Sequence, residues 1–139
     1  MPCSVTAERP ARDELLRLYA SVGWTAYTRD PDRLVAAVAA SQLVLVARTD
    51  EGALVGLARA ISDGLTIAYV QDVLVDPAVQ RTGVGGALLD EVLRRTADIR
   101  QVVLLTDAEP AQRAFYESRG FTETHDVAPQ PLRSFVRIA

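Results

Sequence analysis

The stretch Val73-Leu-Val-Asp-Pro-Ala-Val-Gln-Arg-Thr-Gly-Val-Gly-Gly-Ala-Leu-Leu89 decides how this chain is read. It runs from an apolar, β-branched segment through a proline-containing loop into a helix opened by glycine. Such a loop is an anion cradle. Glycine lets the backbone approach a phosphate closely, and the unpaired amides and partial positive charge of a helix N-terminus stabilise it. Two common phosphate loops do not fit. A P-loop needs Gly-Lys-Ser/Thr, and the chain contains no lysine. A dinucleotide fingerprint needs a third glycine where Leu88 stands and a first glycine tight against the strand, whereas Gly83 lies well downstream of Val75. Gly83, Gly85 and Gly86 on their own would more often mark a turn, but the strand-loop-helix setting favours a ligand loop.

Outward from this stretch, Val84, Leu88 and Val92 repeat every four residues with Leu89 and Leu93 beside them, which predicts a sheet-packed helix from Gly83 to about Ala97. Gln101–Thr106 reads as a short buried strand. Pro110 opens a further helix that Gly120 closes, and Phe121–Val127 and Arg133–Ile138 read as two last strands around a proline-rich loop. Upstream, Gln42–Arg48, Leu54–Ser62 and Thr66–Val75 form a predicted antiparallel meander. Its turns are Asp50-Glu51-Gly52 and Asp63-Gly64, the second being the stronger because both residue types tolerate positive φ. Before it come a helix over Pro10–Val22 with Leu15, Leu18, Tyr19 and Val22 on one side, a loop over Gly23–Asp30, and a helix from Asp30-Pro31 to about Ala40. No repeat, linker or low-complexity stretch interrupts the chain.

With 139 residues, 49% apolar and 24% charged, the chain predicts one folded domain over residues 1–139. A net charge of −3 argues against a nucleic-acid partner and suits a cationic substrate. All fifteen basic residues are arginine, and lysine and asparagine are missing altogether, a bias that hints at a GC-rich bacterial source. Cys3 is the only cysteine, so neither an internal disulfide nor a cysteine-based zinc site can form. No stretch approaches the roughly 20 apolar residues of a membrane span, and the first residues lack the apolar core of a signal peptide. A cytoplasmic protein without membrane contact is expected.

Gln80-Arg81-Thr82-Gly83-Val84-Gly85 resembles the Gln/Arg-x-x-Gly-x-Gly/Ala pyrophosphate loop of the GNAT N-acetyltransferases, and the strand before it ends in Val75-Asp76-Pro77 as is usual in that family. Further on, Ala114-Phe-Tyr-Glu-Ser-Arg-Gly-Phe121 is similar to the family's closing Phe-Tyr-x-x-x-Gly-Phe segment. The resemblance runs from about Leu43 to the end and is nearest to small single-domain bacterial members. The first forty residues share only two helices of the kind that shapes the acceptor pocket. The fold class this implies is the α/β (α+β) acyl-CoA N-acyltransferase fold: a mixed, mostly antiparallel sheet flanked by helices on both faces and splayed between the strands ending near Val75 and Thr106.

The same resemblance implies an acetyltransferase that moves acetyl from acetyl-CoA to a primary amine by direct attack in a ternary complex, with no metal. Val73, Leu74 and Val75 would pair with the pantetheine arm, and an amide near Val73 would polarise the thioester carbonyl. Gln80, Arg81, Thr82, Gly83, Val84, Gly85 and Gly86 would hold the pyrophosphate, with Phe115 and Arg119 also on the cofactor. Tyr116 would protonate the leaving thiolate, since a phenol matches a thiolate in basicity. Asp72 is the first candidate for general base, ahead of Asp63 and Asp107, and Trp24, Tyr27 and Gln71 are candidates for acceptor contact. Plainer readings stand beside these: Tyr116 as a core tyrosine, Asp72 in an ion pair with a neighbouring arginine, Trp24 and Tyr27 capping the core, Glu109 capping the helix begun by Pro110 where the family often has asparagine. His125 has no second histidine to share a metal or catalytic role. The acceptor is a small amine or a peptide, and a homodimer through the last strands is expected by analogy. Rival functions are a non-catalytic acyl-CoA-sensing or partner-binding module and a transferase of another acyl group.

Overall fold

The three β-branched runs pair as expected in the computed structural model, which describes residues 3–139. Strands β2 (Leu43–Thr49), β3 (Leu54–Ser62) and β4 (Ile67–Val75) form an antiparallel meander. The β3–β4 turn is built by Asp63, whose carboxylate accepts from the amides of Leu65, Thr66 and Ile67, with Gly64 at φ 78°. Strand β1 (Cys3–Ala7) adds antiparallel to β2, and β5 (Gln101–Leu104) adds parallel to β4, giving the order β1-β2-β3-β4-β5. The sheet is therefore mixed and mostly antiparallel.

Helices cover both faces of it. On one side lie α1 (Arg12–Ser21), α2 (Thr25–Thr28) and α3 (Pro31–Ala40), and Leu15, Leu18, Tyr19, Leu34 and Val38 pack with Val44, Val46, Leu57 and Leu74 of the sheet into one core. Each fully buried side chain of this kind contributes about 1.5–3 kcal/mol. Asp30 caps α3 by accepting from the Arg33 amide at 3.3 Å, with Pro31 next to it. On the other side lies α4 (Val84–Arg95), which comes so close at Gly56 that a Cβ there would stand 2.9 Å from Leu88 Cδ1 and 3.0 Å from Val84 Cγ1.

The chain divides into two compact units between Leu105 and Thr106. The second holds α5 (Pro110–Glu117), closed by Gly120 at φ 90°, and a 3-10 turn over Thr124–Asp126. The expected strands over Phe121–Val127 and Arg133–Ile138 are corrected: among the described residues no strand follows Leu104. Strand propensity is expressed only against a partner, Pro129 and Pro131 supply no amide for a ladder, and Glu123 and Asp126 are drawn to Arg113 instead. Gln101–Leu104 is half-buried or exposed, as an edge strand is, where a buried one was expected. The loop over Gly23–Asp30 contains the one-turn helix α2. Strand β1 was not foreseen, because five residues of weak alternation give little signal.

Candidate active site

Strand β4 carries an irregularity in its pairing with β3. Arg59 pairs with Asp72 but Ala60 pairs with Val70, so Gln71 is an extra residue, a β-bulge. Residues paired across strands share a face. Ahead of the bulge Ala68 and Val70 therefore point to the α4 face with Ala60, and after it Val73 and Val75 do so with Ala58 and Gly56, while Asp72 and Leu74 face α1–α3 with Arg59 and Leu57. Pairing with β5 ends at Val70↔Leu104, and β4 runs on to Val75. Among the described residues, no strand lies beside β4 from Gln71 to Val75 on the β5 side.

The strand then feeds the loop. The Asp76 amide donates to Val55 O at 2.8 Å and its carboxylate accepts from the Ala78 amide at 2.9 Å, which starts the 3-10 turn Pro77–Val79. The Gln80 side chain folds back to donate to Val75 O at 3.2 Å, and the Thr82 hydroxyl donates to Val79 O. Arg81 sits at φ 66°, a left-handed conformation that costs a residue with a Cβ roughly 1–2 kcal/mol. Gly83, at φ 94°, occupies the N-cap of α4, and the first helical bond runs from Ala87 N to Gly83 O at 3.0 Å. The amides before it have no partner within the helix and stand at its positive end. Gln80 through Gly83 are exposed. This loop can bind an anion, and the open β4 edge can take an extended chain; together they suit a phosphorylated ligand with a peptide-like arm.

On the α1–α3 face the side chains around the bulge form one polar cluster. Asp72 is 3% exposed and Arg59 5%. Arg59 Nε donates to Asp72 Oδ2 at 2.6 Å, the Tyr19 hydroxyl donates to the same oxygen at 2.8 Å, and the Tyr27 hydroxyl donates to Oδ1 at 3.0 Å. Gln71 Nε2 donates to the Tyr27 oxygen at 2.9 Å, and Arg59 Nη1 reaches Ser41 Oγ at 3.3 Å. Burial raises both phenols above their ordinary range, and the charge of Asp72 adds to it, so both stay protonated. Burial acts against the Arg59 charge, but Asp72 outweighs it and holds the guanidinium above its usual value. Trp24 packs its ring 6.1 Å from those of both Tyr19 and Tyr27. Of the expected acceptor residues, the fold thus brings Trp24, Tyr27 and Gln71 together with Asp72. Sequence reasoning passed over Tyr19, Ser41 and Arg59. A signal for Arg59 was present: it is the one charge in the otherwise apolar or small run Leu54–Ser62.

In the second unit Phe115, Tyr116 and Arg119 gather as the closing motif suggests. The Phe115 and Tyr116 ring centroids lie 5.0 Å apart, Tyr116 lies 5.8 Å from Phe121, and the Arg119 guanidinium is 4.9 Å above Phe115. Burial, with Asp107 adding its charge, raises Tyr116 above the ordinary phenol range. Glu109 stands at the N-cap of α5 but its side chain makes no cap, so the capping reading is corrected; its amide donates to Asp107 Oδ1 at 3.0 Å instead. Glu123, His125 and Asp126 hold ligand atoms within 4.8 Å of one another at the surface. Arg113 already binds both carboxylates and competes with any cation there.

The family model described as an acetyltransferase (GNAT) domain matches residues 40–123 and takes in both motifs. This chain belongs to the GNAT acetyltransferase family. The match runs across the division at Leu105 and Thr106. An N-acetyltransferase of Prochlorococcus marinus, ycf52-like and uncharacterized, is 36% identical over 115 residues, covering 78% of this chain and 61% of that one. A GNAT family acetyltransferase from Streptococcus pneumoniae has a solved structure that superposes with a TM-score of 0.83 at 30% identity over 99% of this chain and 98% of its own. AAC(6')-Iy, solved with the bisubstrate analogue CoA-S-monomethyl-acetylneamine, shares the fold with a TM-score of 0.63 at 18% identity, over 96% of this chain and 100% of that one. The chain spans 27% to 66% of the length of the first curated relatives it matches.

Proposed function

We propose that this GNAT chain is an acetyl-CoA-dependent N-acetyltransferase acting on a primary amine by direct attack in a ternary complex. The observation that carries the reading is the β4 edge from Gln71 to Val75, unpaired by any strand among the described residues and continuous with the exposed residues Gln80–Gly83 at the head of α4. Acetyl-CoA supplies an acetyl thioester. Backbone groups of Val73, Leu74 and Val75 hold its pantetheine arm as an added strand, and Gln80–Gly86 hold its pyrophosphate. The amide near Val73 stabilises negative charge on the carbonyl oxygen as the amine nitrogen forms its bond to carbon. The carbon–sulfur bond then breaks, Tyr116, kept protonated by its burial, gives its proton to the sulfur, and the proton leaving the new amide nitrogen passes to solvent water. Phe115 and Arg119 stack at the same cofactor.

Asp72 takes a different part from the one first expected. It is buried, and its oxygens accept from Arg59, Tyr19 and Tyr27, so an acceptor proton would reach it by way of Tyr27, the half-buried one of the two tyrosines. We assign it to holding Tyr27 and Gln71 toward the acceptor. Asp63 is engaged by its own turn amides. The two units together make one transferase domain, so unfolding in urea should be a single transition by every probe. The protein works in the cytoplasm, which cell fractionation tests.

Thiol release from acetyl-CoA over a panel of amines tests the function, with wild type and Tyr116→Phe side by side. Amine-dependent release that falls about 10²-fold or more in the variant is expected. Because the Tyr116 pKa is raised and the protonated form is the active one, the alkaline loss of activity belongs above the pH at which a free phenol ionises. Acetyl-CoA binding without turnover on any amine would favour the sensing module; turnover with a longer acyl-CoA only would favour another acyl group.

A further inference from the structure

We propose that Arg59 is a positioning residue of the transferase site, which holds the bulge at Gln71 through Asp72 and so sets the course of the open β4 edge. The inference rests on the reading of Val73–Val75 as the acetyl-CoA strand. Its physical basis is register. Carried on from Ala60↔Val70 without the extra residue, a regular β3–β4 ladder would set Arg59 opposite Gln71 and turn Asp72 to the α4 face, which is lined by Gly56, Ala58, Val84 and Leu88. Arg59 and Asp72 would then be two buried charges without partners, the costly case for charges in a protein interior. In the bulged register they meet at 2.6 Å with both side chains buried. With Ala68 and Val70 held buried on the α4 face, the ion pair therefore selects the bulged strand over the regular one.

Stability does not require a pair of charges here, because well-packed apolar residues in place of a buried ion pair are often neutral or stabilising. What such residues cannot do is discriminate between the two registers, since either face of the sheet accepts them. The cluster also ties strands β3 and β4 to the three helices α1, α2 and α3. Arg59 reaches Ser41 at the end of α3, and Asp72 holds Tyr27 of α2, whose oxygen accepts from the bulge residue Gln71. All of this sits where β5 stops pairing, between Val70 and Asp72. A bulge bends its strand and increases the local twist, so the bulge is placed to aim the backbone of Val73 and Val75.

The double variant Arg59→Met/Asp72→Leu separates positioning from stability. Acetyl-CoA affinity is read by calorimetry, thermal stability by circular dichroism, and the β3–β4 register by NMR contacts between backbone protons. The expected result is a folded protein, less stable than wild type because the buried Tyr19 hydroxyl loses its acceptor, whose cross-strand contacts shift and which binds acetyl-CoA at least about tenfold more weakly. Arg59→Lys, which keeps a charge opposite Asp72, should retain the register and stay within about threefold of wild-type affinity. A folded double variant with wild-type affinity and register would overturn the role of Arg59 alone. Failure of the wild type itself to bind acetyl-CoA would overturn the functional reading on which it rests. If the double variant does not fold, Arg59→Gln against Arg59→Lys carries the same comparison, and equal affinities in the two would overturn the proposal.

Discussion

Arg81 holds a backbone conformation that its side chain makes costly, in the middle of the loop proposed to carry the pyrophosphate. Replacing it separates the backbone from the charge. Arg81→Ala keeps the strain at φ 66° and Arg81→Gly relieves it, so the glycine variant should be the more stable by about 1 kcal/mol in urea denaturation. Both lose the guanidinium and should bind acetyl-CoA more weakly; an alanine variant as stable as the glycine variant would show that the loop relaxes without strain. At this scale the sequence was legible wherever a motif fixed the residue: Gly83 stands at the head of α4 as its spacing implied, and Phe115, Tyr116 and Arg119 lie together. Asp72 was harder to read. Its type and place on a strand suit a base and an ion pair equally, and the difference depends on Arg59, thirteen residues away and brought opposite only by the bulge.

Among the elements, the contact of α4 with β3 sets where the anion loop sits. Gly56 permits that contact, since a Cβ would come within 3.0 Å of two side chains of α4 and 3.3 Å of Leu74 O. Gly56→Ala should therefore cost about 1–3 kcal/mol, the usual range for overpacking, and weaken acetyl-CoA binding by lifting the head of α4. Full stability with unchanged affinity would mean that Leu88 and Val84 reorient freely. Long periodic or β-branched runs gave β2, β3, β4, α1, α3 and α4 with bounds close to those observed, because one buried face leaves a clear period. The short elements β1 and α2 left no such trace, being fixed by tertiary partners: β1 by its ladder with β2, and α2 by Tyr27 on Asp72. Which residue of β4 takes the bulge could not be read from one strand alone, since register depends on both strands.

For the whole molecule, the segment after Pro131 is the part that local propensity misjudged. Phe135 is 88% exposed and Ile138 85%, on a stretch whose composition suits a strand but which pairs with none. We propose that these side chains meet a second copy of the chain, the homodimer expected by analogy. Sedimentation should give twice the chain mass for the wild type and the single mass for Phe135→Asp/Ile138→Asp. A monomeric wild type would remove that proposal and leave the transferase reading in place. Binding of acetyl-CoA along one strand and one loop is the central claim, and an NMR titration of amide shifts tests it most directly. Saturable changes concentrated at Val73, Val75 and Arg81–Gly86 are the expected result; binding that leaves these amides unmoved, or no binding at all, would contradict it.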